Sequence, residues 1–208
     1  MGITYIMKQL VILHYLIKFL GIRASENFVK YSDLPDDLIN ATIAVEDHRF
    51  RNHGAIDFIA IARAISSNLK AGNAVEGGST ITQQVAKNLY FMEEKDNFSR
   101  KSAELILSYH LEKNYSKEEI FELYVNTIYY GNGYYGIKEA ANGYYNKDPK
   151  DLTLAECTLL AGIPNAPSVY APTVNMELCK SRQSKVISSM VKYGYLTQEE
   201  ANKIELGM

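Results

Sequence analysis

Glu46-Asp47-His48-Arg49-Phe50, followed by His53-Gly54, places two adjacent carboxylates and two imidazoles in one short stretch. Glu46 closes an apolar helical run that starts near Pro35. The partial negative charge of a helix carboxyl end and the charge of a neighbouring carboxylate both disfavour a second anion, so its proton affinity rises. Such a group suits a general base that takes a proton from a hydroxyl only as a new bond forms. An exposed acidic helix end has the same residues, and the rest of the chain must decide between the two readings. A second stretch, Gly77-Gly78-Ser79-Thr80-Ile81-Thr82-Gln83-Gln84, reads as a turn that becomes a helix. The glycines free the backbone, and Thr80 with Gln83 has the spacing of a capping box. Ile81, Val85, Leu89 and Met92 then share one helical stripe, while Gln83, Lys87 and Tyr90 line the other. A cation and amides above a helix start suit phosphate or diphosphate, although a solvated helix face explains a single helix equally well. In a third stretch, Arg100-Lys101-Ser102-Ala103-Glu104, the first and last residues have the spacing of an ordinary surface ion pair.

Three other patterns carry less. Gly131-Asn132-Gly133-Tyr134-Tyr135-Gly136 spells GxGxxG, but a dinucleotide site needs a preceding strand, and the residues before it keep helical register. Ser67-Asn68-Leu69-Lys70 spells the SxxK of penicillin-reactive enzymes without any accompanying Lys-Thr-Gly. His48 and His53 do not have the spacing of a helical metal pair, and no third ligand is evident.

The elements that must hold these groups are helical. Thr80 to Gln83, Ser116 to Glu119, Thr153 to Glu156 and Thr197 to Glu200 all have capping-box spacing, and each heads a stretch of helical apolar period. Gly162 through Pro172 punctuates the chain before a final helical pair, around Arg182 to Tyr193 and Thr197 to Ile204. With 208 residues and 47% hydrophobic content, the chain can bury one substantial core. A formal net charge of -2 with no long Lys/Arg run argues against a nucleic-acid partner. Cys157 and Cys179 have no metal spacing and allow one disulfide without requiring it. Ile3 to Ile22 is strongly apolar but interrupted by Lys8, Gln9, His14 and Lys18. It reads either as an imperfect transmembrane helix or as an interfacial one with Lys and His on its wet side. No small-residue cleavage pattern follows, so the segment is expected to be retained. The expected organisation is a membrane-associated segment over residues 1–28 and a catalytic domain over 29–208.

Taken in order, Glu-Asp-x-x-Phe-x-x-His-x-Gly, Gly-Gly-Ser-Thr-Ile-Thr-Gln-Gln and Arg-Lys-x-x-Glu resemble the first three motifs of the peptidoglycan glycosyltransferases, glycosyltransferase family 51. Lys117-Glu118-Glu119-Ile120, through Glu122, Tyr124 and Asn126 to Gly131, Gly136, Ala140, Ala141, Tyr144, Tyr145 and Lys147, is similar to the fourth. Leu152-Thr153-Leu154-Ala155-Glu156 with Leu160-Ala161, Pro164, Pro167, Tyr170 and Pro172 is similar to the fifth. The family comprises monofunctional biosynthetic transglycosylases and the glycosyltransferase domain of class A penicillin-binding proteins. Its members polymerise lipid II into glycan strands.

The resemblance implies an all-α, lysozyme-like glycosyltransferase domain with an amino-terminal membrane-associated helix and a mobile region that meets the membrane. It implies a catalytic domain on the extracytoplasmic face of the bacterial cytoplasmic membrane. The implied partners are lipid II, the lipid-linked growing glycan chain and cell-wall synthesis proteins. Glu46 and Glu104 match the family's two glutamates, the first deprotonating the acceptor hydroxyl and the second assisting at the donor. Asp47, Phe50, His53, Gly54, Gly78, Ser79, Thr80, Gln83, Gln84, Lys87, Arg100 and Lys101 fall on substrate-binding positions. Where the family carries a basic residue ahead of Arg-Lys-x-x-Glu, this chain reads Glu94-Lys95-Asp96-Asn97, with one residue inserted. Lys95 takes that role if the loop shifts; a strict count places Asp96 there. A divalent cation, magnesium or manganese, is implied as a cofactor, with no metal ligands assignable from the sequence. Two other readings fit parts of the pattern: a lysozyme-like hydrolase that cleaves peptidoglycan, since paired carboxylates also serve glycosidases, and a noncatalytic lipid-binding scaffold.

Overall fold

The structure, a computed structural model, describes residues 20–72, 78–90 and 98–205. Most of the apolar amino-terminal segment, Gly77, Met92, Lys95 and Asp96 lie outside the described residues.

Every regular element among the described residues is a helix, as the capping signals predict. The main ones are α1 (Asp36–Glu46), α2 (Phe58–Ala71), α3 (Ile81–Tyr90), α4 (Phe98–Asn114), α5 (Lys117–Thr127), α6 (Ile137–Tyr145), α7 (Leu154–Gly162), α8 (Pro167–Tyr170), α9 (Met176–Lys192) and α10 (Gln198–Glu205). Three of the four expected capping boxes close reciprocally. Ser116 Oγ accepts from the Glu119 amide at 3.2 Å while Glu119 Oε2 accepts from the Ser116 amide at 2.9 Å, and Thr153 with Glu156 and Thr197 with Glu200 do the same. The fourth is half-formed. Thr80 Oγ1 accepts from the Gln83 amide at 3.2 Å, but the Gln83 side chain donates instead to the Ala55 carbonyl at 2.9 Å. The missing reciprocal bond is exchanged for a tie between two site-bearing segments.

α5 is the centre of the main core, with Ile120, Phe121, Leu123, Tyr124 and Val125 all buried. It packs on α3, whose Ile81, Val85 and Leu89 are buried as the apolar stripe predicts. A second, smaller cluster joins Ala41 and Ala44 of α1, Ala161 of α7, and Val186 and Met190 of α9. Small residues on α1 and α7 allow close approach, so α9 lies against the helix that ends in Glu46. Cys157 and Cys179 are buried free thiols, with no disulfide between them.

The connector after the amino-terminal segment is tied to α5. Arg23 pairs with Glu119 and Glu122, and the Asn126 side chain accepts from the Val29 amide and donates to the Val29 carbonyl, both at 2.8 Å. No helix among the described residues is long and apolar enough to cross a membrane. The GxGxxG stretch follows α5 rather than a strand and makes a tight loop closed by an isolated bridge between Tyr129 and Tyr135. That topology removes the dinucleotide reading.

Gly136 ends this loop at φ 86°, ψ 158°, a region open essentially to glycine alone. A Cβ there would lie 2.8 Å from the Asn126 carbonyl oxygen. Gly136→Ala should therefore cost about 2 kcal/mol or more, read as a drop in the urea unfolding midpoint; an unchanged midpoint would refute this account of the loop.

Candidate active site

Glu46 ends α1 with its side chain only 9% exposed. Its Oε2 accepts from Gln84 Nε2 at 2.9 Å, and its Oε1 accepts from Arg182 Nη2 at 3.2 Å. Burial pushes its carboxyl above the ordinary value, against the lowering effect of Gln84 and Arg182, while Asp47 adds a smaller upward push. The direction is the expected one, but the principal cause is desolvation, which sequence alone could not reveal.

Asp47 turns away from Glu46 and is buried. Oδ2 accepts from the Ile81 amide at 3.0 Å, capping α3, and Oδ1 lies 2.8 Å from His53 Nε2. The other ring nitrogen of His53 lies 2.6 Å from the Gly54 carbonyl oxygen. With an acceptor facing each nitrogen, the arrangement favours the protonated ring, which can donate to both. Burial pulls its pKa down, yet the Asp47 hydrogen bond and charge and the Gly54 carbonyl outweigh this and leave it raised. Asp57 extends the network: Oδ1 accepts from the Ile59 and Ala60 amides, capping α2, and Oδ2 accepts from Arg49 Nε at 3.0 Å.

Asp47, His53 and Asp57 are close enough together to suggest a metal site. Their ligand atoms are already committed to helix amides, to Arg49 and to one another, so the cluster fits a structural role and not a resident cation.

The second glutamate is more deeply placed. Glu104 on α4 is 1% exposed. Its Oε1 pairs with Arg100 Nε at 3.1 Å and its Oε2 with Lys101 Nζ at 3.0 Å. The i,i+4 spacing thus makes a buried pair, not a surface one. Lys101 Nζ also donates to Ser79 Oγ at 3.1 Å, joining α4 to the turn before α3.

Both glutamates open onto one cavity of about 930 Å³. Ser79, Gln83, Gln84, Lys87, Arg100 and Lys101 line it with them. Asp47, Phe50, His53, Gly54, Gly78 and Thr80 do not reach its wall. Phe50 is 1% exposed and packs in the core against Phe121, Thr80 donates to the Ala55 carbonyl, and Gly78 rests near Ile61 of α2. Asp47 and Thr80 support the wall from behind by capping α3, whereas Gly54 is exposed. Lys95 lies outside the described residues.

The cavity also has a wall that the motif reading left without a role. Arg182, Lys185, Ser189 and Lys192 of α9 line it, with Arg63 of α2 and the His48–Tyr193 stack at 4.2 Å between ring centroids. The imidazole of His48 is held below its ordinary pKa first by burial and then by Arg63, whose Nη1 lies 3.1 Å from Nε2. Their signal was present in the sequence as helical spacing of polar residues along α9 and as a single cation inside the apolar run of α2.

A family model for transglycosylases matches residues 14–191 of the chain. Penicillin-binding protein 1A of Neisseria lactamica is 45% identical over 188 residues, which are 89% of this chain and 23% of that protein. Penicillin-binding protein 1F of Bacillus subtilis (strain 168) is 43% identical over 173 residues, 83% of this chain and 24% of that one. This chain therefore spans less than a quarter of the length of these relatives. The crystal structure of penicillin-binding protein 1A from Haemophilus influenzae matches with a TM-score of 0.51 and 25% identity, covering 86% of this chain and 17% of that chain.

The His53 pair sets a pH dependence. A raised folded-state pKa means that the stabilisation is complete below the unfolded imidazole value of 6.5 and is lost as pH rises through the folded value. In urea titrations, His53→Gln should fall furthest below the unsubstituted protein at about pH 5.5 and approach it at about pH 9. A gap that widens with pH would contradict the imidazolium assignment.

Proposed function

This chain belongs to the transglycosylase family of peptidoglycan glycosyltransferases, and from that premise we propose that it polymerises lipid II into β-1,4-linked glycan strands with release of undecaprenyl diphosphate. The observation that carries this reading is Glu46, a buried carboxylate with raised proton affinity that opens onto a cavity walled by cations. A hydroxyl is too weakly acidic to lose its proton beforehand, so the base must take it as the new bond forms. The acceptor 4-hydroxyl oxygen attacks the donor anomeric carbon, its proton passes to Glu46, and the bond to the diphosphate oxygen breaks with its electron pair leaving on the diphosphate. A single in-line displacement turns the α-linked donor into a β product.

The departing diphosphate gains charge as the bond breaks, and fixed cations stabilise it most in the transition state. Lys87, Arg100 and Lys101 are the cations on the α3–α4 side, with Ser79 held by Lys101 and Gln83 by the Ala55 carbonyl. Glu104 orders two of these cations by pairing with both, a role at the donor side that needs no proton transfer. Magnesium or manganese would add positive charge at the departing diphosphate, and the described residues offer no protein cage for it. The reading places the domain at the extracytoplasmic face of the bacterial cytoplasmic membrane, where its lipid-linked substrates and other cell-wall synthesis proteins meet it.

The test is incubation with labelled lipid II in detergent and separation of products by length. The unsubstituted protein should yield polymer. Glu46→Gln, which keeps the shape and removes the proton acceptor, should slow polymerisation by about 10²- to 10⁴-fold while lipid II binding stays within a few-fold. Near-normal turnover in that variant would remove Glu46 from the role of base. Short sugars cut from finished cell wall, without polymer, would support the hydrolase reading.

A further inference from the structure

Arg182 lies on α9, beyond the last of the five sequence motifs, and is held from three directions. Its Nη2 donates to Glu46 Oε1 at 3.2 Å, its Nε donates to the Gly162 carbonyl at 3.3 Å, and its guanidinium sits 5.9 Å from the Tyr170 ring centroid. These partners belong to α1, α7 and α8, so one side chain is fixed by three elements. Gly162 leaves room for its stem, since a Cβ there would lie 3.0 Å from Arg182 Cγ. The side chain is only 13% exposed, and it still reaches the cavity wall.

The surroundings of Glu46 explain why a cation is needed there. Gln84 from α3 contributes a neutral amide, and Asp47 on the same chain segment contributes a like charge. Tyr124 of α5 and Tyr130 of the following loop are buried phenols whose pKa values burial drives upward, so both stay neutral. Lys185 shares the cavity wall. Among the described residues, Arg182 supplies the positive charge in direct contact with the carboxylate. Without it, burial would favour the protonated carboxyl, which cannot accept a proton. With one donor on each oxygen, the carboxylate is fixed in orientation and keeps a further lone pair on each oxygen for an incoming hydroxyl.

We propose that Arg182 is a positioning residue for glycosyl transfer: through its contact with Oε1 it keeps Glu46 ionised and oriented toward the acceptor hydroxyl. The proposal rests on Glu46 being the base. A purely mechanical tie between α9 and α1 would lower turnover equally across the pH range, without an acid limb that follows the titration of Glu46.

Two readouts separate these roles. The first is the acid limb of the pH profile of kcat/KM for lipid II polymerisation in detergent. The second is the carboxyl titration of Glu46 in protein labelled with ¹³C-glutamate, assigned by difference against Glu46→Gln. In Arg182→Met both midpoints should move up together by about one pH unit or more, and Arg182→Lys, which keeps a charge, should restore most of the shift. Should Arg182→Met fail to fold by circular dichroism, Arg182→Gln compared with Arg182→Lys carries the same contrast. A folded, charge-lacking variant that loses turnover with both midpoints unmoved overturns the role of Arg182 alone. Full turnover in Glu46→Gln overturns the base reading and the proposal with it.

Discussion

The site hangs on Asp47. One carboxylate oxygen holds the first amide of α3 and the other holds His53, so the residue that follows Glu46 is also the cap of the helix carrying Gln84 and Lys87. A buried carboxylate is costly unless every oxygen is satisfied, and Asp47 meets that requirement with a helix amino terminus and the His53 ring. The consequence is geometric: Glu46 and the polar face of α3 are fixed by a single residue between them. Gln83 and Thr80 add a second brace by donating to the Ala55 carbonyl.

The charge distribution then separates two kinds of buried glutamate. Glu104 is clamped on both oxygens by cations, Arg100 and Lys101, and serves to order them. Glu46 has one cation and one amide, and burial leaves its proton affinity raised. Environments that treat two carboxylates so differently assign them different work. A glycosidase needs an acid and a partner carboxylate about a neutral sugar, and has no use for a cavity with Lys87, Arg100, Lys101, Lys185 and Lys192 in its walls. A lipid-linked diphosphate does.

Much of this arrangement is legible in the sequence because its signals are local. The caps at Ser116, Thr153 and Thr197, the apolar stripe from Ile81, and α1 ending at Glu46 each depend on residues a few positions apart, and each appears where the pattern puts it. Long-range contacts are less legible. Gln83 has the spacing of a reciprocal cap, yet a carbonyl 28 residues away takes its amide. Arg182 meets Glu46 across 136 residues, and no spacing rule connects them. Phe50 and His53 are read from the motif as substrate contacts, and the structure sets them behind the wall, in the core and in the Asp47 network. Burial is the common missing quantity, since it depends on how α1, α7 and α9 close on one another.

A base that takes the acceptor proton in a single displacement leaves the anomeric carbon inverted, and stereochemistry records that inversion directly. The most direct test is an NMR determination of the anomeric configuration of the newly formed linkage in the first tetrasaccharide made from two molecules of lipid II. The account predicts a β-1,4 linkage from the α-linked donor, formed in step with diphosphate release. An α linkage, which requires a second displacement through a covalent glycosyl-enzyme, or free disaccharide released without any new linkage, would contradict it.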